Sequence, residues 1–153
     1  MHSYLSMEKL AGAVKSMHFV ELILMMSVFV ALMVRYVGGF QSIYFLEAFS
    51  LGLAAVYFPF GFYFVKKPSQ NYNNTICIIL GFIYALGVLT ILISGVNIDS
   101  YRYPLILDFS IFIALIIYML FKLRSAAYPE GFINTQFIRI AFIMVCSFVV
   151  LVK

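Results

Sequence analysis

Charge is what this sequence lacks most: Asp, Glu, Lys and Arg make up 10% of its 153 residues. A water-soluble domain carries about 25% charge, so a chain built like this one is not a soluble globular protein. It also lacks any basic run. The net charge of +4 comes from Lys and Arg scattered in ones and twos at segment ends, which excludes nucleic acid as a partner. Histidine is nearly absent. His2 and His18 have no second ligand at metal spacing, so no metal site is expected. The two cysteines, Cys77 and Cys146, fall at different depths, the second about 20 Å into its segment. A disulfide needs Cα atoms about 4.4–6.8 Å apart, so no bridge is expected. Nucleophile–base pairs, phosphate loops and haem or quinone ligand pairs are missing too, so neither a cofactor nor an enzymatic activity is expected. Tryptophan is absent, which leaves the interfacial aromatic role to 17 Phe and 11 Tyr.

What is present is apolar. Hydrophobic residues form 65% of the chain and mean hydropathy is +1.07. They fall into five blocks, 16–37, 43–65, 75–96, 104–121 and 132–152, separated by short polar loops. A helix rising about 1.5 Å per residue crosses roughly 30 Å of hydrocarbon in about 20 residues. The expected fold is therefore all-α: a single integral membrane domain over residues 1–153, a bundle of five transmembrane helices in contact with the lipid bilayer. The fifth block contains Arg139, and if it does not cross, four helices remain.

The first block is not a signal peptide. Its apolar stretch continues to Val37 and lacks a small-residue cleavage site, so it reads as a retained helix. Residues 1–15 mix Leu5, Leu10 and Val14 with Glu8, Lys9 and Lys15, which suits an interfacial helix or a frayed polar tail equally. Lys9, Lys15, Lys66, Lys67, Lys122 and Arg124 fall on one side; only Arg35, Arg102 and Lys153 fall on the other. The positive-inside rule then puts the N-terminus in the cytoplasm and the C-terminus outside, in a bacterial inner membrane.

Short connections make consecutive helices antiparallel neighbours. Gly38-Gly39 ends the first, Lys66-Lys67-Pro68 stops the second, and Tyr128-Pro129-Glu130-Gly131 turns into the fifth. Pro59 lies inside the second helix and is expected to kink it near Ala55. Around it runs Tyr57-Phe58-Pro59-Phe60-Gly61-Phe62-Tyr63, read as an interfacial aromatic belt or as a hinge. This run, with an uninterrupted third helix and a Tyr103-Pro104 entry to the fourth, resembles a group of small polytopic membrane proteins of Bacteroidota to which no activity is assigned. The resemblance covers about residues 48–121 and carries no catalytic residue over. Where that group has a Lys-rich, Trp-Pro-Gly-like entry to its last helix, this chain has Asp99-Ser100-Tyr101-Arg102-Tyr103-Pro104.

Four charges fall inside apolar blocks: Glu21, Glu47, Asp108 and Arg139. A charge at a helix centre costs on the order of 2.5–3.5 kcal/mol to insert, so each needs a partner, a cavity or an interface. Glu21 lies about 9 Å past Lys15 and Arg139 about 10 Å past Phe132, both from the inner side. They form an expected intramembrane pair. Glu47 and Asp108 enter from the outer ends of their helices and form an expected outer cluster with Arg35 and Arg102. Each also has a plainer reading: Asp108 suits a helix N-terminus, and Arg139 can snorkel to the headgroups. His18 precedes Glu21 by one turn, as part of an inner cluster or as an interfacial side chain. Glu47, Ser50, Ala54, Tyr57 and Gly61 share one face of the second helix, and Ala48-x-x-x-Gly52 and Gly81-x-x-x-Ala85 are small-residue packing patterns.

Two functions fit. The leading expectation is a non-catalytic subunit or accessory component of a larger inner-membrane complex, packed against other membrane subunits or copies of itself. The alternative is a small channel or transporter for ions, protons or a solute. It would use Glu47 and Asp108 as wet carboxylates and Glu21 with Arg139 as an inner gate. Only one helix carries an internal proline, whereas transporters often show paired broken helices.

Overall fold

A computed structural model describes residues 2–38, 43–65, 74–96, 102–124 and 130–152, with side chains placed at 17–35, 43–58, 76–95, 103–121 and 131–152. The described residues form five α-helices and no strand: α1 (His2–Gly38), α2 (Ile43–Val65), α3 (Asn74–Val96), α4 (Arg102–Arg124) and α5 (Glu130–Leu151). Each corresponds to one apolar block. The chain is an integral membrane helix bundle. Met17–Arg35, Ile76–Gly95, Tyr103–Phe121 and Gly131–Leu151 are long and apolar enough to cross a membrane. The fifth block is thus long and apolar enough to cross, despite Arg139. α2 has a shorter apolar stretch, Ile43–Phe58, among residues with placed side chains, within a helix of 23 residues.

The backbone of residues 2–15 is continuous with the rest of α1, in one helix of 37 residues. α2 stays helical on both sides of Pro59; the side chains of Pro59, Phe60, Gly61, Phe62 and Tyr63, on which the expected kink and aromatic belt rest, lie outside the described residues.

α3 is the central helix. It shares the most extensive interface with α2 and also packs against α4 and α5, while α1 lies mainly on α2. A narrow contact between α1 and α5 closes the bundle. Leu32, Leu53, Val88, Ile91, Leu105 and Ile140 are wholly buried along the axis. Phe19, Phe45, Phe82, Leu107 and Phe148 stand exposed, one on each helix, where hydrocarbon and not water accepts them. Small residues set the spacing. A Cβ at Gly52 would come 3.4 Å from Leu24, which fixes α1 close to α2. A Cβ at Gly87 would come 2.8 Å from the Phe112 ring and 3.0 Å from Ile143, so α4 and α5 meet α3 where it has no side chain.

Candidate functional site

The polar residues of the bundle concentrate where α1, α2, α3 and α5 converge. Glu21 on α1 is 5% exposed and Arg139 on α5 is 1% exposed. Arg139 Nε donates to Glu21 Oε1 at 2.5 Å and Nη2 donates to Oε2 at 2.8 Å. Two parallel N–H···O bonds give the strongest and most directional form of this pair. The structure therefore brings together the two inner charges that their depth in the sequence matched. The Arg139 guanidinium turns into the bundle and not toward the headgroups.

Two further groups complete Glu21. Tyr57 on α2 donates its hydroxyl to Oε1 at 3.0 Å. His18 Nδ1 stands 3.3 Å from Oε2, one turn earlier on α1. A carboxylate has about four lone-pair sites, and all four are engaged here. The network continues across the bundle. Arg139 Nη1 donates to Gln136 Oε1 at 3.2 Å, and Tyr84 on α3 donates to the same oxygen at 2.9 Å. The Tyr57 and Tyr84 rings lie 5.5 Å apart, centroid to centroid, in a tilted pair. Six side chains from four helices thus form one connected set, buried except at His18, whose side chain is 40% exposed.

Local structure explains the convergence. The α2 face carrying Ser50, Ala54 and Tyr57 is buried, with Glu47 half-buried at its outer end, so the stripe read from the sequence is the inward face that delivers Tyr57 to Glu21. Gln136 and Arg139 lie three residues apart on α5 and so point the same way. Gln136 and Tyr84 were not singled out from sequence. Tyr84 lies ten residues into α3, too deep for an aromatic belt, and that depth was the available signal.

The outer cluster is different. Asp108 on α4 is buried, 7% exposed, with Oδ2 free of any hydrogen-bond partner. Its neighbour is Thr90 of α3, not a cation. Thr90 donates its hydroxyl to the Leu86 carbonyl at 3.0 Å. Arg35 and Glu47 are half-buried and form no ion pair with each other or with Asp108 among the described residues. The Arg102 side chain lies outside the described residues. Depth alone grouped these four; their positions around the helix axes separate those that can be placed.

An apolar layer lies between the two polar levels. Phe112, one turn inward of Asp108 on α4, stacks on Tyr84 at 6.4 Å with an interplanar angle of 1°. Its ring and Ile143 fill the notch at Gly87. No group of three or more His, Cys, Asp or Glu side chains suited to a metal ion occurs among the described residues. Compared with protein families, with curated proteins and with solved structures, the chain has no match. Function therefore rests on the geometry of an integral membrane helix bundle with an intramembrane Glu21–Arg139 salt bridge.

Proposed function

We propose that this protein is a small proton-conducting or proton-coupled membrane transporter working through Glu21 and Asp108. The observation that carries the proposal is the connected, buried set of His18, Glu21, Tyr57, Arg139, Gln136 and Tyr84 inside a membrane bundle. Ionisable groups within a membrane are costly and mark ion or proton pathways when they face the bundle interior. His18, half exposed, is the entry from the α1 N-terminal side. A proton passed to Glu21 neutralises it and removes the partner of Arg139, leaving that cation uncompensated in a low dielectric. Proton exchange is thereby coupled to a shift of α1 against α5, whose contact is narrow. Phe112 and Ile143 separate this inner section from Asp108, whose unpartnered oxygen makes the outer station.

The chain sits in a bacterial inner membrane with its N-terminus in the cytoplasm and its C-terminus outside, a reading supported by six basic residues on one side against three on the other. A role as a packing subunit of a larger complex has less support. Of the small residues that suggested it, Gly52, Ala54, Gly81 and Ala85 are spent within the chain, against α1 or in its core, while Ala48 is exposed and the Gly61 position lies outside the described side chains. Glu47 is half-buried at the outer end of α2 and forms no ion pair among the described residues.

The test is proton flux in proteoliposomes carrying a pH-sensitive dye, driven by a potassium diffusion potential. Wild type should exceed protein-free vesicles, and both Glu21→Gln and Asp108→Asn should fall to the protein-free level. Wild-type flux equal to that of empty vesicles would sink the proposal.

A further inference from the structure

The outer half of α1 and the first turns of α2 enclose an apolar groove of about 490 Å³, lined by Ser27, Val30, Ala31 and Val34 of α1 and Phe45 and Phe49 of α2. The groove exists because Ser27 and Ala31 are small where the flanking Val30, Val34 and Phe45 project outward. It opens on the surface that carries the exposed Val30, Val34 and Phe45, which is the lipid-facing side of the bundle. Along α1 it runs about 12 Å.

Arg35 stands at its outer end. Residues four apart lie on one helix face, so Ser27, Ala31 and Arg35 form a single row, with the two small residues lining the groove and Arg35 one turn beyond Ala31. Arg35 is half-buried, and its Nη1 has no hydrogen-bond partner. No carboxylate pairs with it among the described residues, although the half-buried Glu47 lies on the neighbouring helix. A guanidinium near a helix end with no anion beside it among the described residues can take its counter-charge from a lipid headgroup, and phosphate matches its forked donors.

From these we infer that the α1–α2 groove is a binding site for one glycerophospholipid, whose acyl chain fills the groove and whose phosphate bonds to Arg35. An acyl chain alone would fill the apolar walls and leave Arg35 without an acceptor; an anion alone would leave the groove to nonspecific lipid. The site combines both requirements, in the leaflet at the C-terminal end of α1. It does not depend on the transport proposal.

Delipidated full-length protein in mild detergent, titrated with palmitoyl-oleoyl-phosphatidylglycerol and followed by native mass spectrometry, tests this. Palmitoyl-oleoyl-glycerol, with the same chains and no phosphate, is the comparison lipid. Wild type should bind the phospholipid about tenfold or more tighter than the neutral lipid, the value of a charge-assisted hydrogen bond. Arg35→Gln should erase that preference. Val30→Trp, which fills the groove and leaves Arg35 intact, should abolish phospholipid binding. Equal wild-type affinity for the two lipids overturns the inference, as does unchanged phospholipid binding in either variant. Should Arg35→Gln fail to fold, the wild-type lipid comparison and Val30→Trp decide.

Discussion

Among the described residues Glu21 is the most heavily bonded side chain, with four donors or ring nitrogens on two oxygens. Breaking a buried ion pair by removing one partner costs about 3–5 kcal/mol, because the other charge stays buried and alone. Glu21→Ala and Arg139→Ala should each destabilise the protein by roughly that amount. The double change should cost clearly less than the sum, since neither charge is then stranded. Thermal unfolding in detergent across the double-mutant cycle reads this coupling; strict additivity would mean the pair contributes nothing. The pair itself was legible in the sequence. Opposite charges at equal depth on helices running the same way have few other places to go. The rest of the site was not. The outer group of Arg35, Glu47, Asp108 and Arg102 was matched in depth too, yet Asp108 turned to Thr90. Depth follows from counting residues, whereas the direction each side chain takes around its helix follows from packing.

Among the helices, α3 carries the others because of what it omits. At Gly87 the ring of Phe112 and the branch of Ile143 occupy the space of a side chain. Phe112 is 1% exposed and stacked on Tyr84, so it has no room to yield. Gly87→Ala should therefore cost about 1–3 kcal/mol by overpacking and push α4 away from α3. A drop in melting temperature with loss of proton flux is the expected outcome, and an unchanged melting temperature would contradict the packing. Phe112→Leu should act in the other direction, thinning the apolar layer between Tyr84 and Asp108 and raising flux above wild type. Unchanged or reduced flux would remove Phe112 from the barrier. Gly87 gave no signal in sequence. A lone glycine in an apolar helix looks like any other until the ring that needs its space is placed.

Over the whole molecule, length and hydropathy made the five helices and their order legible, since hydrocarbon requires every backbone bond to close within the segment. The arrangement around α3 was not, because helices apolar on all sides carry no stripe to show which face meets a neighbour. Reporter fusions at Ser69, Tyr101 and the C-terminus should read inside, outside and outside; a cytoplasmic C-terminus would contradict five crossings in that orientation. In the proposed transport cycle Glu21 takes up and releases the proton. Infrared difference spectroscopy of proteoliposomes under an imposed pH gradient measures it most directly, through the carboxyl C=O band that appears on protonation. Wild type should show an inner-section carboxyl band that disappears in Glu21→Gln and persists in Asp108→Asn. A wild-type spectrum left unaltered by Glu21→Gln would contradict the account.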